Sequence, residues 1–129
     1  MTPKYNKIMI IDDNEIDNYI VKVLLKNNNI ASEILDFDSG AKAIDYLELH
    51  KETPQNLPDI IFLDIYMPLV DGFQFMELYH KIDSKYVRKC KVCIVSSSID
   101  NHDILRSKLD KNIYTFVSKP ISTEFLLSL

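Results

Sequence analysis

The chain has 129 residues and a mass of 15.0 kDa, room for one domain built on a single core. Apolar residues make up 47% and charged residues 26%, the balance of an ordinary soluble globular protein. Fifteen basic residues against nineteen acidic ones leave a net charge of -4, which speaks against a nucleic-acid-binding surface.

The amino-terminal apolar run, Ile8 to Ile11, is too short for a signal peptide, and no segment approaches the ~20 apolar residues of a membrane span. Two cysteines cannot make a disulfide scaffold, so a reducing, cytoplasmic setting is expected, without membrane or nucleic-acid partners. Residues 1–129 are expected to form one domain with no room for a separate output module.

Lys7–Ile11 opens the chain as a nearly continuous apolar strand. Ile16, Ile20, Val23 and Leu24 then fall at i, i+4, i+7 and i+8, on one stripe of a helix beginning after Asn14. Ser32–Phe37 alternates as an edge strand does. Asp38 or Ser39 caps a second helix marked by Ala43, Ile44 and Leu47. His50–Pro58, with two prolines, reads as a solvent loop before the apolar strand Asp59–Leu63. After Asp71-Gly72 comes a third helix, marked by Phe73, Met76, Leu78 and Tyr79. Lys91–Val95 is a fourth strand, followed by a helix opened by Asp100 or Asn101 and marked by Ile104, Leu105 and Leu109. Ile113–Val117 is a fifth strand, again of edge character. The last helix follows Pro120 and has barely two turns. Five β-α units in succession predict an α/β fold, a doubly wound sandwich with a parallel sheet.

In such sheets ligands bind beyond the carboxyl ends of the strands. There stand Asp12 and Asp13 after the first strand, and Asp64 after the third. Ser96-Ser97-Ser98 follows the fourth and Ser118-Lys119-Pro120 the fifth. Taken singly each is more often a cap, a turn former or a surface charge. Their placement on one rim is harder to attribute to structure alone. Clustered carboxylates repel unless a proton or cation intervenes, and three acids beside one lysine suit a hard divalent ion on oxygen ligands. With a hydroxyl alongside, the set suits phosphoryl chemistry.

Asp64-Ile65-Tyr66-Met67-Pro68-Leu69-Val70-Asp71-Gly72 resembles the D-x-x-M-P-x-x-x-G run of response-regulator receiver domains. The acidic pair, the fourth-strand hydroxyl and the Lys-Pro pair stand in that family's order, and the resemblance runs from Lys7 to about Leu127. It implies a flavodoxin-like (βα)5 sheet of order 2-1-3-4-5. It also implies that Asp64 takes a phosphoryl group from a phosphohistidine on a histidine kinase or histidine phosphotransfer protein. Mg²⁺ would sit on Asp13, Asp64 and the backbone carbonyl of Tyr66, with Asp12 acting through water. Ser96 would hydrogen-bond the phosphoryl group and Lys119 would neutralise it. Lys119-Pro120 would be cis, and Phe116 would be the aromatic switch that repacks the face of the fourth helix, fifth strand and fifth helix. Beyond its own phosphorylation and dephosphorylation no enzyme activity is implied, and a homodimer is left open.

Departures from the family pattern are few. Ser96 replaces the more usual threonine, and Ser97 stands where a small residue such as alanine is favoured. Tyr66 and Ser98 occupy positions that tune phosphoryl lifetime. Asn112 stands near a frequent glycine, where asparagine tolerates a left-handed turn. The fifth helix is short, through truncation or a trimmed output face.

Two rival readings are an adaptor working without phosphorylation, which the intact acidic set opposes, and a Mg²⁺-dependent aspartyl-phosphate phosphatase. The second lacks the haloacid-dehalogenase aspartate two residues after the nucleophile, where Tyr66 stands. Cys90 and Cys93 spell CxxC but enter a strand and lack a second pair, so they are read as structural. His50, His80 and His102 are read as surface residues. Gly40 and Gly72 are the only glycines, too few for a phosphate-binding loop or dinucleotide fingerprint.

Overall fold

The computed structural model describes residues 2–98 and 100–129. Five strands, β1 (Tyr5–Ile11), β2 (Ala31–Phe37), β3 (Ile60–Asp64), β4 (Lys91–Ser96) and β5 (Ile113–Ser118), pair in parallel in the order β2-β1-β3-β4-β5. Five α-helices alternate with them: α1 (Glu15–Asn27), α2 (Gly40–Leu49), α3 (Gly72–His80), α4 (Asn101–Lys108) and α5 (Thr123–Ser128). This is the doubly wound sandwich that the β-α alternation predicts, with the flavodoxin-like strand order that the resemblance implies. The expected edge strands β2 and β5 lie at the edges, and β3, the most continuously apolar, is buried throughout at the centre.

Each helix starts on a side-chain cap. Asn14 accepts from the amides of Ile16 and Asp17, Ser39 from Lys42, Asp100 from His102 and Ser122 from Phe125. Asp71 and Gln74 form a reciprocal capping box at α3. Because each of these helices follows a strand's carboxyl end, the caps fix the loops that carry the site.

Strand side chains alternate between two cores. Met9, Ile11, Ile61, Leu63 and Ile94 face Ala43 and Leu47 of α2 and Phe73, Met76 and Tyr79 of α3. Ile8, Ile10, Phe62, Cys93 and Val95 face Leu25 of α1 and Leu126 of α5. Both cysteines are free and buried, and burial pushes each thiol up to about 12, so neither is a ready thiolate.

The structure orients one stripe that periodicity left open, and it corrects two expectations. The α1 stripe is divided: Ile16 is 71% exposed, Ile20 47% and Val23 36%, whereas its fourth member, Leu24, is half-buried with Val21 against the core that Leu25 enters. The sheet-facing side of α1 spends a position on Asn18, buried because its Nδ2 donates to the carbonyl of Asp12 at 2.8 Å. Asn112 is not left-handed; among the described residues that conformation belongs to Asn29 and Leu69. Asn112 instead fixes its turn through hydrogen bonds, its amide donating to Asp110 Oδ1 at 2.9 Å and its Nδ2 to the carbonyl of Arg88 at 3.1 Å. Finally, His50 is half-buried, within 3.1 Å of the Asn56 Nδ2, whereas His80 and His102 are exposed as expected.

Candidate phosphoacceptor site

Strand register brings the acids together. β1 pairs with β3 through Ile11 and Leu63, so Asp12 and Asp64 leave neighbouring strands at the same level. Asp64 pairs with Val95 and Ser96 with Ser118, which places the serine and Lys119 on that rim. The Lys119 amide donates to the carbonyl of Ser96 at 2.8 Å, and the Lys119-Pro120 peptide is cis.

Carboxylate oxygens of Asp12, Asp13 and Asp64 lie within 4.8 Å of one another. Asp12 and Asp64 are buried, whereas Asp13 is exposed. Burial raises the Asp64 carboxyl to about 6, helped by the Asp12 charge and opposed by Lys119. Desolvation and the like charge of Asp12 are both costs that a cation on these oxygens would relieve. This oxygen-rich trio therefore fits a hard divalent cation.

Lys119 supplies the positive charge the site does hold. Its ammonium is 2.7 Å from Asp12 Oδ2, 2.9 Å from Asp17 Oδ2 and 3.6 Å from Asp64 Oδ2. The hydrogen bonds to Asp12 and Asp17 hold its pKa above the ordinary lysine range against the opposing effect of burial. Asp12 is further fixed by the Asn14 amide, which donates to its Oδ1 at 2.9 Å. An apolar cleft of about 290 Å³ opens beside this pair, walled by Ile20, Val21, Leu24, Phe62 and Ile121.

Ser96 is fully buried, and its hydroxyl is engaged at home, donating to the Ser98 carbonyl at 2.9 Å and accepting from the Ser98 amide at 3.2 Å. Tyr66 stands half-exposed over the rim, its hydroxyl donating to Asp103 on α4. Phe116 is half-buried against the α2–α3 core. Gly72 explains the glycine of the motif. A Cβ there would lie 2.9 Å from the Asp64 carbonyl oxygen and 2.9 Å from Ile65 Cα, and its amide donates to the Ile65 carbonyl at 2.7 Å.

Three contributors escape the sequence reading. Asp17 shares Lys119, Asn18 anchors the Asp12 backbone, and Asp103 ties Tyr66 to α4. An acid in the first turn of a helix that follows an acidic pair is a usable signal for Asp17. Asp103 carries no comparable mark.

Acids gathered on the rim of a doubly wound sheet, one of them with its pKa raised by its own burial, suit the arrival of a phosphoryl group, and the class so defined is the receiver domain of two-component signalling. Residues 8–129 match the response regulator receiver domain family, and the chain belongs to it. It is 28% identical to a two-component response regulator from Cytophaga hutchinsonii, with a TM-score of 0.87 over 97% of this chain and 93% of that one. It is 26% identical over 119 residues to the probable methanogenesis regulatory protein FilR2 of Methanothrix harundinacea, spanning 75% of that relative's length. With the hybrid signal transduction histidine kinase C of Dictyostelium discoideum it shares 29% identity over 123 residues, only 9% of that protein's length. The acidic pocket of Asp12, Asp13 and Asp64 fits the family's phosphoacceptor site.

Proposed function

We propose that Asp64 is the phosphoacceptor and that phosphorylation alters the surface this domain offers to other proteins. One observation carries the assignment: of the two buried acids in the trio, Asp64 is the one whose carboxyl is raised to about 6, with the Lys119 ammonium 3.6 Å away. At neutral pH most of it is still ionised and nucleophilic. A carboxylate oxygen of Asp64 bonds to phosphorus as the phosphorus–nitrogen bond of a phosphohistidine breaks, and the imidazole nitrogen keeps the electron pair and takes up a proton.

Asp13, Asp64 and the Tyr66 carbonyl are the groups to hold Mg²⁺ directly, with Asp12 through water. The bound ion supplies neutralisation of the phosphoryl oxygens. Lys119 adds its own positive charge on the other side. The phosphoryl group brings roughly two negative charges at neutral pH. That charge draws the Ser96 hydroxyl from the Ser98 carbonyl, and Phe116, half-buried on β5 two residues before Ser118, the register partner of Ser96, turns into the vacated space. The face of α4, β5 and α5 is repacked, biasing a two-state equilibrium that a partner reads.

The phosphodonor is a histidine kinase or phosphotransfer protein, and the exposed Ile16, Tyr19 and Ile20 on α1 give it an apolar surface beside the acceptor. No helix among the described residues is long and apolar enough to cross a membrane, and a cytoplasmic site of action accords with that donor.

Incubation with acetyl phosphate and Mg²⁺, followed by intact mass, tests the assignment. The expected result is a single labile phosphoryl adduct, absent from Asp64→Asn and from chelator-treated protein. An adduct that survives Asp64→Asn refutes the assignment of Asp64.

A further inference from the structure

Lys119 is held by two carboxylates, and only one of them belongs to the acid trio. Its ammonium lies at hydrogen-bond distance from Asp12, 2.7 Å, and from Asp17, 2.9 Å, but at 3.6 Å from Asp64 it stands outside that range. Asp17 rises from the first turn of α1 and is not among the acids whose oxygens cluster within 4.8 Å. The lysine is therefore drawn toward α1, away from the carboxylate to be phosphorylated.

We propose that Asp17 is a positioning residue that sets the resting place of Lys119 and competes with the arriving phosphoryl group for it. The inference rests on Asp64 being the acceptor. An ammonium has three N–H donors, and in the resting protein two are committed to Asp12 and Asp17. Stabilising charge that develops on the phosphoryl oxygens requires the ammonium to close on them, and that lengthens or breaks the Asp17 pair. Asp12 can be kept through this movement, because it leaves β1 next to Asp64. Asp17 is fixed to α1, whose amino terminus is locked by the Asn14 cap, so it cannot follow. Its contact is partly exposed, with side-chain exposures of 17% for Lys119 and 35% for Asp17, and is accordingly weak enough to yield. Asp17 thus restrains the loading of Asp64 without touching the reacting atoms.

The test compares loading by acetyl phosphate and Mg²⁺ in wild type, Asp17→Asn, Asp17→Glu and Glu15→Gln. Glu15 lies in the same helical turn and is exposed, and Lys119's ion-pair partners among the described residues do not include it. Asp17→Asn is expected to load roughly two- to fivefold faster, the range of a partly exposed ion pair. Glu15→Gln removes the same charge and stays within about 1.5-fold of wild type, because solvent screens it. Asp17→Glu keeps the restraint and returns the rate toward wild type. The Lys119 ammonium ¹H–¹⁵N signal of resting Asp17→Asn moves toward its position in the phosphorylated wild type, a change that general softening of α1 does not produce. Equal rates for Asp17→Asn and Glu15→Gln, or an unmoved ammonium signal, overturn the inference while wild type still loads. A wild type that takes no phosphoryl group overturns the acceptor assignment and this inference together.

Discussion

The proposed acceptor, Asp64, works against the fold that carries it, and Asp64→Asn measures by how much. Burial and the neighbouring Asp12 charge lift the Asp64 carboxyl from 3.8 to about 6. At about 1.36 kcal/mol per pKa unit, ionising it in the folded chain costs at most ~3 kcal/mol relative to the unfolded one. The site is open to water on its Asp13 side, and screening reduces this to about 1–2 kcal/mol. The sign follows from linkage. The folded state binds the proton more tightly, so the stabilising contribution is complete below about pH 4 and is lost as pH rises toward 6. Asparagine mimics the neutral acid and has nothing to lose. In urea unfolding with chelator present, Asp64→Asn should be more stable than wild type by about 1–2 kcal/mol at pH 7.5, and the gap should close near pH 4. Added Mg²⁺ should narrow the gap at pH 7.5 by stabilising wild type alone, through binding the folded state. A variant less stable than wild type at pH 7.5, or a gap independent of pH, refutes the reasoning.

Two further changes probe the loop that follows the acceptor. Gly72→Ala should destabilise by about 1–3 kcal/mol in the same assay, because its Cβ meets backbone at 2.9 Å, whereas Gly40→Ala should cost less because its closest neighbour is the movable Val70 side chain at 3.0 Å. Equal costs at the two glycines would falsify the close-approach explanation of the motif. Tyr66→Phe removes the donor to Asp103 and should loosen the tie between this loop and α4 while changing global stability little. Hydrogen exchange should show the amides of Asp103 and Ile104 opening several-fold faster while those of α2 stay unchanged. Unaltered exchange in α4 would mean that the tyrosine does not tether it.

What was legible in the sequence was set locally or by a topological rule. Short apolar runs bounded by turn residues, such as Ile60–Leu63, read as central strands, and Asn14, Ser39 and Asp71 announce helix starts because their side chains satisfy amides two or three residues away. Once five β-α units are recognised, the rule that ligands gather beyond strand carboxyl ends brings Asp12, Asp13, Asp64 and Lys119 to one rim. The structure supports that placement through register.

Periodicity did not say which way the α1 stripe points. It marks a continuous apolar face, and a face turned to a partner has the same spacing as one turned to a sheet. The deciding feature was Asn18, a polar residue buried because the β1–α1 turn leaves the Asp12 carbonyl needing a donor. Nor could the sequence apportion a cation among acids. Lys119 lies 102 residues from Asp17 along the chain and 107 from Asp12, and a difference of 0.9 Å between its distances to Asp64 and Asp12 separates a lysine committed to the acceptor from one held in reserve. Strand-end position fixes the membership of such a site, but the resting allocation of its charges depends on side-chain reach from a helix whose rotation the pattern leaves free. On the proposal that Asp64 is the acceptor and Asp17 restrains Lys119, two receiver domains with the same acids and the same lysine differ in how readily they accept a phosphoryl group through one residue on α1.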